Sequence, residues 1–276
     1  MRAVWRKFLS ATQARVEDRI RPMPQALNKY CQIAVRISLI SVGVLAVAWG
    51  TQAMAVFSQQ VTIERVAAHV INGDPFKAEV LATLLPQVEA AEHAERCRPA
   101  AIHSAAIIRT RIAEQALYDG GDIDASLLSL SESIHRSLAC SPADPFLWFV
   151  LYWVESNRNG FNADYLRYLR LSYQLGPYES WIALKRNRYA LAVFQQLPPD
   201  LARKAITEFA KLLDTGFYAD MVAIFTGPGW RERALLLPGL KDVAERHRQA
   251  FASALYKLGY DVDVPGIVRP DPRPWD

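Results

Sequence analysis

The chain has 276 residues, 51% of them hydrophobic and 22% charged, with a net charge of +4. It carries no low-complexity block and no long charge run, so it is an ordinary folded protein with enough apolar residues to bury a sizeable core. The first 36 residues hold eight Lys/Arg against Glu17 and Asp18; taking that local +6 from the total leaves −2 for the rest, which offers nucleic acid no basic footprint.

Directly after Arg36 comes ISLISVGVLAVAWGTQAMAVF, Ile37–Phe57, 21 residues without a charge. About 20 such residues cross a hydrocarbon core of about 30 Å as a helix. The Lys/Arg excess before the span predicts a basic cytoplasmic tail over 1–36, an inner or plasma membrane anchor over 37–57, and an exported domain over 58–264. Ala53-Met54-Ala55 also has the small-x-small form of a signal-peptidase site, and Met23 would give a leader of ordinary length. A retained anchor is the expectation; cleavage after Ala55 would export the same domain.

Beyond residue 60 the spacing predicts helices throughout. Asp74-Pro75 reads as an N-cap and first helical position, with Val80, Leu81, Leu84, Leu85 and Val88 on one face and Pro86 as a kink or a divide. RPAAIHSAAIIRTRIAEQALYD runs to Gly120-Gly121, and DIDASLLSLSESIHRSLAC ends at Ser141-Pro142. Asp144-Pro145 then opens FLWFVLYWVESNRN, whose nine-residue apolar run is too short to span a bilayer and predicts a helix buried nearly all round. Asn162 caps the next helix, which ends at Gly176-Pro177. Further helices cover YESWIALKRNRYALAVFQQL, DLARKAITEFAKLLD, YADMVAIF and RERALLL, with KDVAERHRQAFASALYKLG as the last. The tail over 265–276 has four prolines in twelve residues and is expected to be extended. The class is all-α.

SLACSPADPFLWF and SYQLGPYESWIAL share a small residue, then an apolar one, then a proline before a Trp-bearing helix, with Pro142 and Pro177 35 residues apart. This resembles the tetratricopeptide repeat, a helical hairpin with a period of about 34 residues. The resemblance covers about 110–180, or to 215 at its widest. It implies a stacked array of hairpins with a concave binding surface. Short single-span anchors bearing such domains resemble accessory factors of bacterial surface-polysaccharide synthesis or envelope assembly, which implies protein partners in the membrane or envelope, a scaffold rather than an enzyme, and no cofactor.

Candidate sites are few. RYLRLSYQ and LKRNRYA interleave cations with Tyr, and Tyr165, Arg167, Arg170, Tyr173, Trp181, Lys185 and Arg188 form the expected binding face, since Tyr, Trp and Arg are favoured at interfaces. Cys97 and Cys140 fall in the exported part, where either a disulfide or two buried thiols fit. Glu89, His93 and Cys97, at i, i+4 and i+8 with His103 nearby, have ligand chemistry but no second cluster, so a solvated helix face is expected and no metal. Glu155-Ser156 is similar to the Glu-Ser pair of lytic transglycosylases, which implies a glycan-cleaving alternative with Glu155 as general acid. The Gly-Leu-Met-Gln segment of that family does not follow.

Overall fold

The computed structural model describes residues 25–119 and 122–268. The first 24 residues of the expected basic tail, the stop at Gly120-Gly121 and the expected extended tail over 269–276 lie outside them. Among the described residues every regular element is helical. Two compact units are present, residues 1–59 and 60–276.

The first unit is the larger part of helix α1 (Gln25–Ile71), which runs without a break through the position of Ala53-Met54-Ala55. Its apolar stretch, Lys29–Met54, has 26 residues. At 1.5 Å per residue that is about 39 Å, enough to cross a bilayer core. Ile37, Leu45 and Trp49 are 59%, 68% and 75% exposed, so none of the described residues covers this surface.

The second unit begins with the last turns of α1, which bury Ile63 and Ala67. The predicted cap at Asp74 does not form. Residues 74–77 are irregular, and Asp74 Oδ2 is paired with His69 Nδ1 at 2.6 Å. Pro86 divides the expected helix, because a proline inside a helix removes a donor and crowds the preceding turn. The result is α2 (Ala78–Ala82) and α3 (Leu85–Glu92), with Pro86 in the first turn of the second.

Three helix pairs follow. They are α4 (Pro99–Asp119) with α5 (Ile123–Cys140), α6 (Pro145–Asn159) with α7 (Leu166–Leu175), and α8 (Ser180–Ala192) with α9 (Pro199–Asp214). Their starts are locally encoded. Asp122 accepts from the Ala125 amide at 3.0 Å, and Asp144 Oδ1 accepts from the Phe146 and Leu147 amides with Pro145 at the first position. Gly160, at φ +74°, ends α6 in a backbone region that suits glycine. The first helices of successive pairs touch one another, α4 with α6 and α6 with α8, and α5 packs against α6.

The apolar run of α6 is a core helix: Phe146, Leu147 and Phe149–Val154 are all buried. By contrast α9 buries one stripe, Leu201, Ala205, Glu208, Phe209, Leu212 and Leu213, at the three-to-four spacing of a helical face. The chain closes with α10 (Tyr218–Thr226), the short α11 (Arg233–Leu236) and α12 (Glu245–Lys257), which pack around α9. Cys97 and Cys140 form a disulfide with Cα atoms 5.7 Å apart, joining the start of α4 to the end of α5.

Candidate functional site

The three first helices build a groove. Phe146 of α6 and Trp181 of α8 meet at its floor with ring centroids 4.9 Å apart, and Val70, Ile71 and Ile107 extend the apolar lining. His103 of α4 lies edge-on to Trp181 at 6.0 Å. Its Nδ1 is paired with Asp144 Oδ2, so one carboxylate caps α6 and fixes the imidazole beside the indole. Above this floor Lys185 Nζ donates to Glu114 Oε1 at 2.5 Å, and Arg111 approaches the other oxygen of the same carboxylate at 3.5 Å. Two cations share one anion, and Arg188 lies exposed farther along α8. The groove therefore joins an aromatic floor to a basic edge.

Farther along, Trp153 donates its indole N–H to the Tyr189 hydroxyl at 2.8 Å, tying α6 to α8. Burial raises the pKa of Tyr189 above that of a free phenol, against the lowering effect of that bond. Two of the groove's lining residues, Trp181 and Lys185, come from one helix, which also carries Arg188 and Tyr189 farther along. The other walls come from residues 35 to 115 positions earlier, which no local pattern could assign.

The seven residues expected on one face are divided. Trp181, Lys185 and Arg188 lie on α8, the first two lining the groove. Tyr165, Arg167 and Arg170 lie outside that lining. Tyr165, Tyr168 and Trp148 stand nearly parallel, with neighbouring centroids 6.3 and 6.0 Å apart. Arg167 donates to the Tyr168 hydroxyl at 2.7 Å, and Arg170 makes two hydrogen bonds to Asp200 of α9 at 3.0 and 3.3 Å. Those bonds hold the Asp200 carboxyl below the usual range.

Tyr173 is not a surface residue at all. It is 4% exposed, with the Arg186 guanidinium 4.1 Å from its ring centre. The neighbouring basic stretch is corrected in the same way, because Arg186 is fully buried. The signal was present in the sequence: Arg186 falls between Ile182 and Ala190 at four-residue spacing, on the apolar stripe of its own helix.

The Glu89, His93, Cys97 series does not share a helix face. The helix α3 ends at Glu92, His93 bonds back to the Glu89 carbonyl at 2.9 Å, and the Cys97 sulfur is committed to Cys140. Among the described residues no group of three or more His, Cys, Asp or Glu is arranged to hold a metal. Glu155 accepts from Ser131 of α5 at 3.2 Å, which ties α6 to its neighbour, and from Asn159 one turn on in its own helix at 3.0 Å, so both of its oxygens are engaged.

Comparison with protein-family models, with curated proteins and with solved structures finds no match to this chain. What fold and groove define is a class: an all-α protein with one N-terminal helix long and apolar enough to cross a membrane, followed by a domain of stacked helix pairs.

Proposed function

We propose that this chain is a membrane-anchored scaffold. Residues 37–57 hold it in the lipid of an inner or plasma membrane, the basic tail stays cytoplasmic, and a tetratricopeptide-like domain on the far side binds protein partners of an envelope or surface-polysaccharide assembly. The observation that carries this reading is the groove along α4, α6 and α8. It puts Trp181, Phe146 and Lys185 together on the side where the first helices of the pairs meet, the side a repeat array of this kind uses for binding. Aromatic anchors with Arg nearby are the composition of a protein interface. The uncovered apolar surface of α1 supports the anchor, and the Lys/Arg excess before it supports the orientation.

The test is site-specific photo-cross-linking in intact cells. A photoreactive residue at Trp181 or Arg188 should capture defined envelope proteins, and one at Arg203 on the exposed side of α9 should not. Equal capture at all three positions, or none at any, would reject the groove as the binding surface. A protease that reaches only the outer face of the membrane should degrade the domain and spare the tail. Protection of the domain would reject the orientation.

A further inference from the structure

Between the start of α8 and the second half of α9 lies a cleft of about 290 Å³. Pro177, Ala183 and Leu212 supply its apolar lining. Tyr178 stands 81% exposed beside it, with the Lys211 ammonium 4.9 Å from its ring centre. Of the charged lining residues, Glu208 is already neutralised by Arg186, which leaves the exposed Asp214 and Lys211 to face an occupant.

The last described residues of the chain pass near this rim. The start of α12 is held to the end of α9, because Asp214 accepts from the Ala244 amide at 2.9 Å and Tyr218 meets His247 at 2.9 Å. Arg248 stands one turn beyond Ala244, on the same face of α12, and donates to the Pro265 carbonyl. That turn rises about 6 Å, so Pro265 lies within one helical turn and one arginine side chain of the Ala244–Asp214 contact. Val268, 92% exposed, is followed in the sequence by eight residues, RPDPRPWD. Fully extended they span about 26 Å, more than that separation. Trp275 is the one large apolar side chain among them, with the cation Arg273 two residues before it and the anion Asp276 directly after. Those charges complement Asp214 and Lys211.

We propose that this cleft receives the chain's own segment 269–276, with Trp275 against Pro177, Tyr178 and Leu212, Arg273 at Asp214, and Asp276 at Lys211. Burying an indole supplies most of the contact, since aromatic side chains carry the largest apolar area. Pro270, Pro272 and Pro274 favour an extended backbone, which keeps the entropy cost of docking small. A tether this short also holds the segment at an effective concentration of about the millimolar range, so a weak contact suffices. Once docked, the segment straps the ends of α8, α9 and α12 together. The cleft is separate from the α4–α6–α8 groove and does not depend on the scaffold reading.

The test places a photoreactive residue at Pro274 of the full chain in detergent micelles and identifies the cross-linked peptides by mass spectrometry. Links within one chain to 177–183 or 208–215 are expected, at a yield independent of chain concentration. Tyr178→Ser removes an exposed ring without touching the core and should lower that yield about threefold, the worth of one aromatic contact. Tyr165→Ser, outside the cleft, should leave it unchanged. Links to other parts of the domain, no links at all, or a yield that Tyr178→Ser does not move would each overturn the proposal. So would links that form only between chains and rise with concentration, because the occupant would then be a second copy's segment.

Discussion

Gly176 lies directly against Pro145: a Cβ on Gly176 would stand 2.6 Å from both Cβ and Cγ of the proline ring. The contact brings the end of α7 onto the start of α6, and the Gly176 carbonyl takes a hydrogen bond from Arg186 of α8 at 3.0 Å. Three helices therefore meet at one glycine whose φ of −131° any residue can adopt. The requirement is for space, not backbone freedom. Gly176→Ala should lower stability by about 1–3 kcal/mol, the cost of overpacking a close contact. Urea unfolding of the full chain in micelles, followed by Trp fluorescence, measures it. An unchanged midpoint would show that the ring moves aside freely.

The Arg186–Glu208 pair behaves as a buried ion pair, with side chains 0% and 7% exposed. Arg186→Met should cost about 3–5 kcal/mol, because it leaves a buried carboxylate unpaired. The double variant Arg186→Met, Glu208→Leu removes both charges and should recover most of that loss. A double variant as unstable as the single one would show that packing rather than charge dominates there.

Glu208 also gives a signed pH dependence. Burial raises its folded-state pKa, against the lowering effect of Arg186. The folded chain holds this proton more tightly than the unfolded chain, so the contribution of Glu208 to stability is complete below the ordinary carboxylate range and is lost as pH rises through the raised value. Stability curves of wild type and Glu208→Gln should therefore differ most favourably for wild type in acid, with the difference shrinking toward neutral pH. A difference that grew in wild type's favour with rising pH would refute the assigned direction.

The Cys97–Cys140 disulfide closes a loop of 43 residues in sequence separation. In the loop-entropy account, removing such a cross-link costs about 4 kcal/mol. Cys97→Ser together with Cys140→Ser should lower the unfolding midpoint accordingly. The bond also reports compartment, since disulfides persist where the environment is oxidising. In whole cells the two sulfurs should resist maleimide until a reductant is added, while Cys31, exposed on α1, has no such protection. Immediate labelling of Cys97 and Cys140 in unreduced cells would contradict export.

Tyr189→Phe tests the α6–α8 join by deleting the acceptor of the Trp153 indole. Leaving that N–H unmet should cost about 1–2 kcal/mol and shift the Trp emission. If neither quantity changes, water already serves the indole.

The sequence by itself determined the helices, the long apolar stretch of the N-terminal helix and the caps that local chemistry controls. Asp144-Pro145 followed by a run without polar residues can only be a capped helix buried on most sides, and so it is. Its near twin Asp74-Pro75 shows the limit. The same dipeptide caps nothing there: the helix starts only at Ala78, three residues beyond Pro75, and the Asp74 carboxylate pairs with His69 instead. Helical period told which residues share a face, but not what covers the face. For that reason Tyr173 and Arg186 read as a basic and aromatic surface, whereas α9 brings Glu208 over them and closes them in. Trp181 and Lys185 became a groove only when α4 and α6, far off in the chain, supplied Glu114 and Phe146. Contacts between residues 30 to 70 positions apart are fixed by the packing of whole helices, which minimises exposed apolar area across the domain, and no short stretch of sequence contains that sum.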